Sequence, residues 1–204
     1  MKPLKYATLF AALCLGLTSV ASATFIVDTD PGGEKLFIDK ANKKVTDFEG
    51  FVGKNDSSFP HVAIHTMGKV DTGSGFANIK PVKDGSLTEL IFTPEDPNLF
   101  SDFSFRGQLN DAAEGTVTVT VQDNQGNGPF TFTLTGLGGP NDFARQGIIS
   151  LDGETIKSVT LTSDFKEVKQ IEFSVHGVPD SGSTAMLLGG ALAGLGLLLR
   201  YRKR

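Results

Sequence analysis

Period-two alternation runs through the middle of the chain. Residues Thr116-Val117-Thr118-Val119-Thr120-Val121 alternate strictly between hydroxyl and β-branched apolar side chains, and Phe130-Thr131-Phe132-Thr133-Leu134-Thr135 repeats the pattern. Between them stands Asp123-Asn124-Gln125-Gly126-Asn127-Gly128, a run of turn formers, so the two segments predict a β-hairpin. Comparable runs occupy 24–28, 35–38, 62–65, 87–92, 100–105, 156–161 and 168–175. Turn signals part them at Pro31-Gly32-Gly33, Asp71-Thr72-Gly73-Ser74-Gly75, Lys83-Asp84-Gly85-Ser86, Gly138-Gly139-Pro140-Asn141 and Asp152-Gly153. About nine to eleven strands are expected, with no internal helix. Polar faces built of Thr, Ser, Lys and Glu imply one wet side per sheet, which suits antiparallel packing and argues against a parallel α/β core. The expected fold is all-β: an antiparallel jelly-roll-like β-sandwich over residues 24–177, forming a single domain.

The two ends follow a different pattern. Lys2 and Lys5 precede an apolar run at 6–17, and small residues then lead to Ala21-Ser22-Ala23. Positive charge, an apolar run fit for the translocon and small side chains fit for signal peptidase together describe a signal peptide over 1–23. The cut is expected after Ala23, with Ala21 and Ala23 as the small cleavage-site residues and Thr24 as the new N-terminus. A lipoprotein reading at Cys14 fails because Leu13 is bulky where a small residue is needed and the run stays apolar beyond the cysteine. Cys14 is the only cysteine, so the processed chain would hold no thiol and no disulfide.

At the other end, residues 185–199 form an apolar Gly- and Leu-rich stretch closed by Arg200, Tyr201, Arg202, Lys203 and Arg204. As a helix these 15 residues span roughly 22 Å, less than a hydrocarbon core of about 30 Å. This predicts one C-terminal transmembrane helix with Arg200, Arg202, Lys203 and Arg204 as its cytoplasmic basic stop, leaving 24–184 outside the inner membrane.

Charge sharpens that picture. The whole chain has 19 basic and 23 acidic residues, net −4. Six of the basic residues lie at the ends and one acid, Asp180, lies beyond 177, so 24–177 keeps 13 basic against 22 acidic, a balance of −9. Such a surface repels phosphate backbones, and nucleic acid is excluded as a partner.

The order of features at 178–204 is the most specific signal in the chain. Val178, Pro179, Asp180, Ser181 and Gly182 form an extended, proline-fixed linker, and the apolar helix and basic stop follow it. This tripartite segment resembles the C-terminal sorting signal of the PEP-CTERM class in its Val-Pro-Asp-Ser-Gly form. Val178 and Asp180 stand where the better-known form has Pro and Glu. The resemblance implies processing at 178–182 by an exosortase-like membrane cysteine protease of a Gram-negative cell. It also implies transient anchoring in the inner membrane and delivery to the cell surface or extracellular matrix of a polysaccharide-producing, biofilm-forming bacterium. The stretch 76–126, with Ser86-Leu87-Thr88-Glu89-Leu90-Ile91-Phe92-Thr93 and Asp102-Phe103-Ser104-Phe105-Arg106-Gly107, also resembles ectodomains of that class, which have no assigned activity.

Candidate chemistry in the middle segment is sparse. His61 and His65 would share a strand face about 13 Å apart, too far to chelate one metal together, and with His176 they are read as solvated or turn residues. The Asp123 loop departs from a calcium-binding EF-hand at Gln125 and at Leu134, where a bidentate Glu is needed, so it is read as a hairpin turn, as are Asp28 and Asp30. Glu89, Glu154, Glu167 and Glu172 are the carboxylates from which a glycosidase pair would have to come, and no nucleophile or metal-protease motif accompanies them. Trp is absent and the only two Tyr are Tyr6 and Tyr201, so sugar-stacking platforms with a polar tip are missing. Phe51, Phe59 and Phe143 are expected in loops, where they could be exposed. The sequence thus assigns no catalytic residue, no metal and no cofactor. It favours a structural or interaction protein of the cell envelope, with a polysaccharide-binding module, calcium-assisted or not, as the alternative and a secreted hydrolase third.

N-terminal sequencing of the exported protein should return Thr24 as the first residue. A lipidated N-terminus at Cys14 would refute the cleavage site.

Overall fold

A computed structural model describes residues 24–54, 56, 58–110, 114–138 and 144–175. The signal segment 1–23, His176, the linker 178–182, the apolar stretch 185–199 and the basic stop lie outside the described residues, as do Phe143 and the 139–141 part of one predicted turn. Among the described residues there are thirteen strands and no helix, and hence no helix long and apolar enough to cross a membrane. In chain order the strands are β1 (Phe25–Asp28), β2 (Glu34–Ile38), β3 (Val45–Val52), β4 (His61–Thr72), β5 (Gly75–Phe76), β6 (Asn78–Pro81), β7 (Glu89–Pro94), β8 (Phe100–Leu109), β9 (Glu114–Asp123), β10 (Phe130–Gly138), β11 (Arg145–Ser150), β12 (Ile156–Thr162) and β13 (Phe165–Val175).

All the pairings are antiparallel, and eleven of the thirteen strands follow one path, β1-β11-β8-β13-β2-β3-β4-β7-β12-β9-β10, with β5 paired to β2 beside it. That path folds over on itself. The run from β1 to β13 forms one layer, the run from β3 to β10 forms the other, and β8 faces β10 and β12 across the core without pairing to either. The fold-over is made by β2, which pairs β13 and β3, and by β6, which pairs β13 and β4. The molecule is the expected β-sandwich. The predicted hairpin is β9–β10, with Thr120 opposite Thr131 and Val119 opposite Phe132.

Alternation sends one set of side chains inward. Val117, Val119 and Val121 of β9 are buried with Val159 and Leu161 of β12 and Leu90 and Phe92 of β7. From the opposite layer, Phe103 packs its ring on Phe92 at 5.4 Å, on Phe173 at 5.2 Å and on Phe105 at 5.9 Å between centroids. Each such aromatic pair adds about 0.5–1.5 kcal/mol beyond area burial.

The two outer faces differ, and one of them corrects the expectation of a wet side on every sheet. The β3–β10 layer is polar and open outside. In the β1–β13 layer, Ser104 and Gln108 of β8 are buried on the outer side, and the 29–33 loop folds back over β11 next to Ser104. Pro31 is buried there and lies so close to Gly147 that a Cβ on Gly147 would come 2.5 Å from its Cγ and 2.4 Å from the Phe103 carbonyl. Arg145 pins the loop, donating to Asp30 Oδ1 at 2.5 Å and pairing through its other terminal nitrogen with the nearly buried Glu172.

Four strands escape the periodicity reading: β3, β5, β6 and β11. Phe51 accordingly lies in β3, 8% exposed, instead of in a loop, and Phe59 is half-buried between β3 and β4.

Phe103→Ala should cost about 3–5 kcal/mol, since it opens a cavity where both layers meet. Phe103→Leu should cost less. Urea unfolding of both variants tests this, and equal, small losses would show that the layers do not depend on this ring.

Candidate functional site

The open outer face belongs to β3, β4, β7, β12, β9 and β10. Register places Asp47, His65, Ile91, Thr160, Thr120 and Thr131 opposite one another in one row across six strands. A second row holds Glu49, Ala63 and Thr93. The hydroxyl half of this face is β9, β10 and β12; the ionisable half is β3 and β4.

A groove of about 580 Å³ crosses the ionisable half, its floor on β3 and β4 and one wall formed by the segment after β2. Asp39, Lys40, Asp47, Glu49, His65 and Thr93 supply its polar lining. The wall is held by exchange with the end of β4: Asn42 N donates to Thr72 Oγ1 at 3.0 Å, Thr72 N donates to the Asn42 carbonyl at 2.9 Å, and Lys44 N donates to Asp71 Oδ1 at 3.0 Å. Lys44 takes a left-handed φ of 56° to turn the chain back into β3.

Within the groove His65 Nδ1 lies 2.6 Å from Asp47 Oδ1, and Thr46 Oγ1 donates to Asp47 Oδ2 at 2.7 Å. These two hydrogen bonds, the one to His65 first, hold the Asp47 carboxyl below the usual carboxylate range. Further along β4, His61 Nδ1 is 3.9 Å from both Glu49 Oε2 and Glu95 Oε2. Its ring stacks edge-on over Phe51 at 4.7 Å. A second cleft of about 430 Å³ continues past His61 toward Phe59, Glu95 and Asp96.

The two histidines therefore share the outer face of β4, as their spacing predicts. His65 is exposed and His61 half-buried; both lie in a strand, and neither is a turn residue. His61 lies between Glu49 of β3 and Glu95 just after β7, and among the described residues His65 pairs with Asp47 of β3 alone. Asp47, Glu49 and Glu95 were missed by sequence reasoning. The signal that marks two of them is the alternation of Asp47, Glu49 and Phe51 with Phe48, Gly50 and Val52, in which a glycine occupies an inward position. Chemically the groove sets the carboxylates of Asp39, Asp47 and Glu49 beside the donors of Lys40, Asn42 and Thr93 on a sheet floor, a lining suited to hydroxyl-bearing groups.

The other sequence candidates are dispersed. Asp123 is 1% exposed, and its carboxylate accepts from Asn127 N at 2.7 Å, Asn127 Nδ2 at 2.9 Å and Gly128 N at 3.3 Å, which closes the hairpin loop. Asp28 Oδ1 accepts from Asp30 N at 2.8 Å, a turn contact as expected. Of the four glutamates, Glu89 lies on β7 in the open layer and Glu154 follows β11. Glu167 takes Asn78 Nδ2 at 2.8 Å and Lys80 at 3.3 Å, and Glu172 takes Arg145. No two of them converge on one cleft. Among the described residues no group of three or more His, Cys, Asp and Glu is placed to hold a metal.

Comparison with known proteins bears chiefly on the C-terminus. Residues 177–201 match the family model described as the VPDSG-CTERM motif. The chain thus carries a C-terminal sorting signal, a variant of the PEP-CTERM kind, and the match starts two residues after β13 ends. No curated protein matches the chain. Among solved structures, a family 29 carbohydrate binding module is 13% identical over 76% of this chain and 88% of its own, with a TM-score of 0.28. CtCBM11 is 11% identical over 80% of this chain and 100% of its own, with a TM-score of 0.27. At such TM-scores the likeness carries no argument about this protein.

In an NMR titration the Asp47 carboxyl should protonate below the ordinary Asp range and move up toward it in His65→Ala. Because its folded pKa is depressed, whatever stability the pair contributes is present above the unfolded Asp pKa and lost as pH falls through the folded one. Unchanged titration in His65→Ala would show that the 2.6 Å contact does not hold in solution.

Proposed function

We propose that this is an exported cell-envelope or extracellular-matrix protein with a structural or interaction role, processed at its C-terminus by an exosortase-like membrane protease. The observation that carries the reading is the sorting motif at 177–201, directly after the last strand of the sandwich. Signal peptidase removes 1–23, the helix at 185–199 holds the chain briefly in the inner membrane with the basic stop inside, and the cut falls at Val178 to Gly182. The domain 24–177 is then released to the surface. We read the domain as non-catalytic: its groove acids and histidines lie along an open sheet face, and Glu154, Glu167 and Glu172 are occupied in separate structural contacts.

A second reading has a specific observation behind it. The groove and the adjoining threonine rows form one long polar face, which fits a neutral extracellular polysaccharide held by hydrogen bonds instead of ring stacking. Glycan-array binding lost in Asp47→Asn would favour this module over a purely structural role, and an empty array would favour the latter.

Processing is the direct test of the leading reading. An internally tagged chain, expressed in its host, should lose its C-terminal tail near 178–182, and Pro179→Ala or deletion of 200–204 should stop or slow that loss. Mass spectrometry finding Arg204 on the mature, surface-located wild-type chain would sink the proposal and leave a tail-anchored β-sandwich.

A further inference from the structure

Thr24 stands at a corner where the chain is held from both sides. Its backbone nitrogen lies 2.7 Å from Glu154 Oε1, and its carbonyl accepts from Leu151 N at 3.0 Å. The next residue, Phe25, pairs with Ser150 and packs its buried ring against Phe130 at 5.4 Å. The position of the Thr24 nitrogen is thus fixed by strand pairing and by the core.

Glu154 is 4% exposed. Besides Thr24, it accepts from Ser150 Oγ at 2.6 Å and from Asp152 N at 3.2 Å. Burial pushes its carboxyl up, but the hydrogen bonds from Ser150, its own backbone, Thr24 and Asp152 outweigh that and hold it below the ordinary value, as an ionised acceptor. Among the described residues no Lys, Arg or His pairs with it. The other ionisable groups that hydrogen bonds bring to this corner are also carboxylates: Asp152 in the same turn, and Asp102 of β8, whose Oδ1 accepts from Ser150 N at 3.1 Å. A buried, ionised carboxylate without a cation is an incomplete arrangement.

We propose that the missing cation is the chain's own α-ammonium, created when the signal peptide is removed, and that Glu154 is its receptor. This rests on the cut after Ala23. Hydrolysis of the Ala23–Thr24 amide adds water across the bond: Ala23 takes the oxygen as a carboxylate, and Thr24 keeps its nitrogen, which protonates to –NH3⁺. The contact between a neutral amide N–H and an ionised carboxylate in the precursor then becomes an ion pair in the same place. The β1–β11 pairing is present before the cut, and processing adds an ion pair that tightens this edge in the exported protein.

The test uses the mature chain purified from its host, with its N-terminus first read by sequencing. Its α-amine is then acetylated selectively, and wild type is compared with Glu154→Gln in thermal melts near pH 6.5. Acetylation should lower the wild-type melting temperature by about 4 °C and leave Glu154→Gln within about 1 °C. Equal shifts in both, or none in wild type, would overturn the latch. An N-terminus other than Thr24 would instead overturn the cleavage site beneath it, so the two failures are distinguishable. Should Glu154→Gln fail to fold, the wild-type α-amine titration decides: pairing raises its pKa above the ordinary value of about 7.7–8.0. The pair's stability is then full below that value and lost as pH rises through the raised one. An ordinary α-amine pKa would overturn the proposal.

Discussion

A sandwich without a cystine has no covalent cross-link between its layers; β2 and β6 join them by backbone pairing, and burial must do the rest. The described residues contain no cysteine, so neither layer is stapled to the other, and the fold depends on how completely each sheet hides its inner face. Phenylalanine does most of this. Phe92, Phe100, Phe103, Phe105, Phe165 and Phe173 are the largest fully buried side chains, and they come from both layers. A ring without a polar tip brings no hydrogen-bond demand into the core, unlike Trp or Tyr. The aromatic composition is therefore tied to the architecture: polar groups are exported to the outer faces, the loops and the edges, where the chemistry of this protein lies.

How much of this was legible depended on which residues lie inside. Strands β9 and β10 could be read because from Thr116 to Val121 and from Phe130 to Thr135 every inward position is apolar and every outward one is Thr. Strand β3 hid itself. Its inward Gly50 faces the Leu36 side chain, where a Cβ would come within 2.8 Å, and its outward Phe51 is covered by the His61 ring. Both reversals blur the alternation, and both arise from contacts with other strands that a single sequence does not display. Strand β11 was lost for a related reason: Gly147 at its centre makes room for Pro31 and the Phe103 backbone, so a residue that weakens a strand locally is required by tertiary packing.

The candidate groove inherits that limit. The two histidines and their common face followed from period two, but their partners did not, because Asp47 and Glu49 lie on the strand that was not seen. A pair such as Asp47 and His65, 18 residues apart in sequence, becomes chemistry only through the β3–β4 register. The sorting motif is the opposite case. Its meaning lies in local order along the chain, proline-containing motif, apolar stretch and basic cluster, and such order survives intact in sequence with no tertiary contact needed to reveal it.

The same contrast explains how the domain can be cut at both ends. Strand β1 starts one residue after the predicted signal-peptide site, and β13 stops at Val175, just short of the sorting motif. Both strands belong to one layer, in the order β1-β11-β8-β13. Neither cut removes a residue of the Phe core, and each frees an end whose adjacent strand is already held by backbone pairing, at Phe25 with Ser150 and at Val175 with Phe100. The two proposed cuts would therefore fall outside the strands of the described sandwich. At the proposed N-terminal site, where Glu154 Oε1 lies 2.7 Å from the Thr24 nitrogen, hydrolysis would add a charge.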